Sequence, residues 1–274
     1  MSITKKIDFA VIISVKNANP NGDPLNGNRP RMNYENLGEI TDVCLKRKIR
    51  NRLLDAGEAI LVQSDDYRAD EFRSIKARYD ANAAIKALAK EKDGEKKGVV
   101  ACEQWFDVRA FGQVFAGVDD VSASIAIRGP VSIQSAFSLE SIDVESSQIV
   151  KSVNLKTNDE DPSKKSADTM GMKHRVDHGI YVSYGSINRQ LAEKTGFSDA
   201  DAEKLRDAMR KMFENDESSA RPAGSMEVLG VIWWTHDQKV LSSAAVHRSL
   251  KMNLDGTYEI EKLDGVSVQE FSGE

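Results

Sequence analysis

The chain has 274 residues, 40% hydrophobic and 30% charged, with a formal net charge of −5. This is enough apolar material for one large domain, or one domain with insertions. No apolar run reaches membrane-span length, and the acidic total argues against a uniformly basic nucleic-acid binder, though not against a basic groove on an acidic body.

The first predicted element is a strand over residues 7–16. Phe9, Val11, Ile13 and Val15 alternate with Ala10, Ile12, Ser14 and Lys16, so both faces can be covered. A loop rich in Asn, Gly and Pro follows, from Asn17 through Asn19, Asn21, Gly22, Asn26 and Gly27 to Arg29 and Arg31. Such a loop cannot pack as core. It is either an elaborate series of turns or a surface of amide donors and acceptors for a polar ligand. The Asn17, Asn19, Asn21 spacing imitates a calcium loop but fails on charge: its twelfth position is Asn28, where a bidentate glutamate belongs.

A helix is predicted from about 39 to 58, capped by Thr41 or Asp42 and ended by Gly57, with Leu45, Ile49 and Leu53 as its buried stripe. Lys46, Arg47, Lys48, Arg50 and Arg52 fill its other positions. From Arg29 to Arg52 there are seven basic and three acidic residues, 7 − 3 = +4. A charge run of this kind is usually a solvated face; its position directly after the polar loop favours an anion site.

Residues 60–116 read as a helical insertion leaning on the body, with Trp105, Phe106, Phe111 and Phe115 packing it onto the main domain. Asp107 and Arg109 among those aromatics need partners if buried. Strands are predicted within 124–143, and an irregular excursion over 150–178. His174 and His178 bracket Asp177 but lack a third ligand or a protease-type glutamate, so contact with nucleic acid by Lys173, His174 and Arg175 is favoured over catalysis. Met170 and Met172 are either packing residues or an apolar wedge against a base. A strand over 180–187 and a helix over 198–214 capped by Ser198 come next. A Gly/Pro loop carrying Arg221 and a strand over 226–235 follow. The acidic tail after Asp255 reads as peripheral. Cys44 and Cys102 form no disulfide framework and no metal spacing, and Met1-Ser-Ile-Thr-Lys-Lys is no secretory leader, so the cytoplasm is the expected location. No phosphate loop or nucleophile elbow is present, and no cofactor is expected. Without its insertions the order is βαββαβ, an α+β class with the ferredoxin-like arrangement of RNA-recognition domains.

Four separated motifs carry a resemblance. They are Asn19-Pro-Asn-Gly-Asp-Pro-Leu-Asn-Gly-Asn-Arg-Pro-Arg31, Trp105-Phe-Asp-Val-Arg-Ala-Phe-Gly112, Arg128-Gly-Pro-Val-Ser-Ile-Gln-Ser-Ala-Phe-Ser138 and Met172-Lys-His-Arg-Val-Asp-His-Gly-Ile-Tyr181. In this order they resemble the backbone subunit of the type I-C CRISPR surveillance complex (Cascade), of the RAMP superfamily. The resemblance implies a hand-shaped, non-catalytic protein that polymerises along CRISPR RNA beside further copies of itself. It would flip bases out at intervals and leave the rest to pair with target DNA. The crRNA-processing, large PAM-reading and small Cascade subunits are its implied partners, and no membrane is. The implied palm is residues 1–59, 117–149 and 179–274, with fingers at 60–116 and a thumb at 150–178. RNA contacts would come from Asn17, Asn19, Asn21, Arg29 and Arg31 in the loop and from Lys46, Arg47 and Arg50 on the helix. Met170, Met172, Lys173, His174 and Arg175 would serve in the thumb, and Arg221 in its own loop. The alternative is a metal-dependent endoribonuclease in the style of the type III backbone subunit, with Asp23 or Asp42 as its acid.

Overall fold

The computed structural model describes residues 2–88, 94–116, 125–153, 163, 170–237 and 240–274. In chain order, β1 (Ile7–Ala18) leads into the short β2 (Gly22–Asp23) and β3 (Arg29–Pro30), then β4 (Leu37–Ile40) and α1 (Asp42–Asp55). The insertion contains α2 (Ile75–Ala81), α3 (Ala83–Ala87), α4 (Gly94–Gln104), α5 (Phe106–Phe111) and β5 (Gly112–Phe115), and β6 (Ile125–Arg128) beyond it pairs with β5. Next are β7 (Val131–Ile133), β8 (Ala136–Ser141), β9 (Val144–Val150), β10 (Met170–Ile187), α6 (Arg189–Thr195) and α7 (Asp199–Arg210). The chain finishes with β11 (Met226–His236), α8 (Ser243–His247), β12 (Leu250–Met252), β13 (Tyr258–Ile260) and β14 (Val266–Ser272). No helix among the described residues is long and apolar enough to cross a membrane.

One large antiparallel sheet runs β14-β11-β1-β10-β8-β4, and β7 and β9 also pair with β10. β1 lies inside it because both its faces are apolar. Phe9, Val11, Ile13 and Val15 join the core beneath α1 and α7, with Leu45, Ile49, Leu53, Leu205 and Met209. Ala10 and Ile12 face a second core with Ile180, Ile232, Trp234 and Val246. The alternation predicted from sequence is therefore used on both sides.

α1 starts where its cap allows. Thr41 is extended, and its hydroxyl accepts from the Cys44 amide at 3.3 Å. Glu39 and Ile40, predicted helical, instead belong to β4, paired with Phe137 and Ala136. α7 opens with a full capping box between Ser198 and Asp201, and it stops at Arg210, short of the predicted 214.

Three expectations are corrected. The insertion does not simply lean on the body: Leu61, Tyr79, Ile85, Ala101, Trp105 and Phe115 form a core of its own. Of its four aromatics, Phe106 enters the main core, edge-on to Phe197, and Phe111 packs at that core's margin. The tail is not peripheral, because β14 pairs with β11 from Gly230↔Ser272 to His236↔Val266 and forms the sheet edge. The end of the excursion is not irregular, because residues 170–178 are the first half of β10, an 18-residue strand. Pairing with β9, from Met170↔Val150 to Val176↔Val144, makes it one leg of a hairpin arm. The rest of the predicted excursion, residues 154–162 and 164–169, lies outside the described residues.

Candidate nucleic-acid interface

The asparagine loop is built from turns that its own side chains hold. Asn17 has φ 55° and is exposed. It sits where strand alternation breaks, since Val15 and Ala18 both enter the main core although three residues apart. Asn19 is only 4% exposed, and its Nδ2 donates to the Asn28 carbonyl at 2.7 Å. Asn21 Oδ1 accepts from both the amide (2.9 Å) and the hydroxyl (2.8 Å) of Thr41, fixing the loop to the start of α1. Asp23 caps the 3-10 turn at Pro24–Asn26 through the Leu25 amide, and Gly27 (φ 58°) and Asn28 (φ 59°) turn the chain back. Among the three predicted asparagines, Asn19 and Asn21 thus hold the turns and Asn17 faces solvent.

Arg29 and Arg31 leave this scaffold at the root of the arm. Arg31 Nη2 is 3.4 Å from Asp23 Oδ1. Arg29 Nη1 donates to Ser146 Oγ at 3.1 Å, and Ser146 Oγ is 2.8 Å from His174 Nδ1. This relay ties the loop to both strands of the hairpin.

The arm has two unlike faces, set by its register. Directly paired residues share a face, so Val144/Val176, Ser146/His174, Gln148/Met172 and Val150/Met170 line one side. Val176 is fully buried and His174 9% exposed, whereas Met172 and Met170 are 55% and 62% exposed. That face runs from the protein core to a bare methionine surface. Arg175, Lys173 and Gly171 lie on the opposite side with Glu145, Ser147 and Ile149. Arg175 Nη2 and Glu145 Oε2 are 2.5 Å apart; both are exposed, so the pair adds little stability.

The loop carrying Arg221 reaches the same end of the sheet. The Asn19 amide donates to the Ala220 carbonyl and the Lys16 amide to the Ser225 carbonyl, both at 2.8 Å. Arg221 Nε donates to Asp216 Oδ2 at 2.8 Å. His178, opposite Lys16, is exposed.

The basic side chains of α1 are differently disposed. Lys46 pairs with Asp42 at 2.9 Å. Arg47 donates to the Val62 carbonyl at 2.8 Å, and burial, then the neighbouring Arg50 charge, lower its pKa. Arg50 Nε binds the buried Asp107 at 3.0 Å, and Lys48 is joined to Asp216. The run is therefore less a solvated face than a set of internal links, and Asp107 has the partner its burial requires. Arg109 likewise binds Asp201 at 2.8 Å over the Phe106 ring. The loop, the arm and Arg221 converge, while Lys46, Arg47 and Arg50 are held toward Asp42 and the insertion. Sequence reasoning missed Ser146 and Lys48. Ser146 carried no signal, and Lys48 was only one cation in a run until its partner 168 residues away was known.

Asp23 and Asp42 are both engaged, as cap and as ion-pair partner. Among the described residues, no group of three or more His, Cys, Asp or Glu side chains is placed to hold a metal ion.

The fold and site define an α+β chain whose large antiparallel sheet continues into an arm that carries two exposed methionines and is rooted in an arginine-bearing loop. The family model described as CRISPR-associated protein Cas7 matches residues 5–269, and the chain belongs to that family. A relative from Haloferax volcanii, CRISPR-associated protein Cas7, is 26% identical over 241 residues, covering 82% of this chain and 68% of the relative. A solved chain of a CRISPR RNA-guided surveillance complex, pre-nicking, superposes with a TM-score of 0.53 at 14% identity, over 88% of this chain and 81% of that one. This likeness supports the fold.

Proposed function

We propose that the protein is a backbone subunit of a CRISPR RNA-guided surveillance complex of type I-C. In this reading it is a non-catalytic scaffold that polymerises along crRNA in the cytoplasm. Its palm is read as ferredoxin-like: β1, β8, β10 and β11 stand in the order β11-β1-β10-β8, and α1 and α7 share one core. The insertion is read as the fingers. The hairpin arm, β9 with the outer half of β10, is read as the thumb.

The observation that carries the proposal is the junction of Arg29, Ser146 and His174 beneath an exposed methionine face. A guide-holding scaffold must grip phosphates without reading bases, which arginines on a rigid loop do. It must also pry a base from its stack, at a cost of a few kcal/mol. An apolar wedge such as Met170 and Met172 offsets that cost by filling the gap. Bases left stacked then pair with target DNA. Neighbouring copies and the processing, PAM-reading and small subunits complete the proposed assembly.

Replacing Arg29 and Arg31 with alanine tests the grip. RNA affinity should fall, and the slope of log K against log salt should flatten by about 0.7 for each phosphate that is no longer neutralised. Unchanged affinity and slope would remove the loop from the interface.

A further inference from the structure

Beyond the arginines of the opening loop, one buried cation has a carboxylate in a ligand's position. Asp216 Oδ2 receives both Lys48 Nζ and Arg221 Nε, the latter at 2.8 Å. The Lys48 side chain is 4% exposed, Asp216 16% and Arg221 28%. The carboxylate thus lies as an outer layer over the ammonium, which rests 5.3 Å from the Phe213 ring centroid. Lys48 is also electrostatically close to Cys44, whose thiol is raised by burial and then opposed by Lys48, Arg221 and Arg31. Ser225, 9% exposed, lines the same small recess as Asp216 and Arg221, and its Oγ has no hydrogen-bond partner among the described residues. The recess adjoins the asparagine loop through the Asn19–Ala220 and Lys16–Ser225 backbone bonds.

We propose that Lys48, Arg221 and Ser225 form a phosphodiester site for single-stranded RNA in which Asp216 holds the phosphate's place in the free protein. Two cations on one carboxylate oxygen match the donors that two non-bridging phosphate oxygens would take separately. Bound RNA displaces the Asp216 carboxylate outward and leaves Lys48 and Arg221 on the phosphate. The displaced acid makes binding an exchange, so stray anions gain little there. This rests on the RNA-backbone reading and adds to it a residue, Lys48, and a competitor, Asp216.

The test measures binding of a fluorescein-labelled, unstructured single-stranded RNA over a range of salt. D216N should bind about tenfold tighter, the worth of one charge-assisted hydrogen bond, and its salt slope should steepen by about 0.7. E203Q removes one exposed charge on α7, outside the recess, and should move neither quantity comparably. Because D216N orphans a buried ammonium, K48M and K48M/D216N form a second pair in which no such charge remains. The double variant should bind tighter than K48M alone. Equal gains for D216N and E203Q, or a double variant no tighter than K48M, overturn the site. If the wild-type chain binds no RNA even at low salt, the functional reading itself falls, and the site with it.

Discussion

Replacing Asp107 with alanine removes the joint between the insertion and the main domain. Asp107 is 1% exposed. Its Oδ1 accepts from the Leu61 amide at 2.8 Å, and its Oδ2 accepts from the Val62 amide and from Arg50 Nε, both at 3.0 Å. Alanine leaves Arg50, whose side chain is 12% exposed, without its carboxylate and the Leu61 amide without an acceptor. Breaking one half of a buried pair costs about 3–5 kcal/mol. At about 2–4 °C per kcal/mol for a chain of this size class, Tm should drop on the order of 10 °C. Thermal and urea unfolding followed by circular dichroism give the loss directly. Asparagine should rescue little, since its amide group meets either Arg50 or a backbone N–H. R50M/D107N, which removes both charges, should be more stable than D107N. A loss under about 1 kcal/mol for D107A, the scale of a surface pair, would show that Asp107 is not the buried, shared acceptor described above.

M170S/M172S should leave Tm unchanged, because both side chains are more than half exposed. It should also abolish the fluorescence rise of a 2-aminopurine guide RNA on binding; an undiminished rise would take the wedge role from the methionines. Hydrogen bonds from Arg78 Nε (2.6 Å) and Nη2 (2.7 Å) hold the Asp70 carboxyl below the ordinary carboxylate range. With the folded pKa depressed, the stability this pair adds is present above the unfolded carboxylate pKa and lost as pH falls through the lowered value. D70N should therefore be less stable than the parent at neutral pH and converge with it in acid. Trp105 fluorescence, in the insertion core, follows that limb, and a constant difference at all pH values would contradict it.

The parts of the fold legible in the sequence are those set by local chemistry. The two-sided alternation of residues 9–15, the Leu45, Ile49, Leu53 stripe and the Ser198 cap each need only neighbours within a few positions. The arm was hidden because most of β9 and the outer part of β10 are exposed on both faces and so lack the half-buried alternation that marks a strand. β14 was hidden behind its acidic setting, although Val266 and Val268 pack on the second core. Of the candidate site, the asparagine loop and the 172–181 motif stand out in the sequence, and their meeting does not. Arg29 finds Ser146 117 residues on, and nothing local encodes such a choice. The α1 cations were the least legible. Composition shows their number, but only the positions of Asp107, Val62 and Asp216 show which way they point.

Assembly of many copies side by side on one guide separates the proposed scaffold from its alternatives. Mass measurement of the purified chain on unstructured guide RNAs of increasing length decides it, by light scattering or native mass spectrometry with magnesium present. The expected result is intact RNA carrying copies in steps that grow with its length. One copy whatever the length, or RNA cut at regular intervals, would contradict the scaffold, the latter in favour of the endoribonuclease reading.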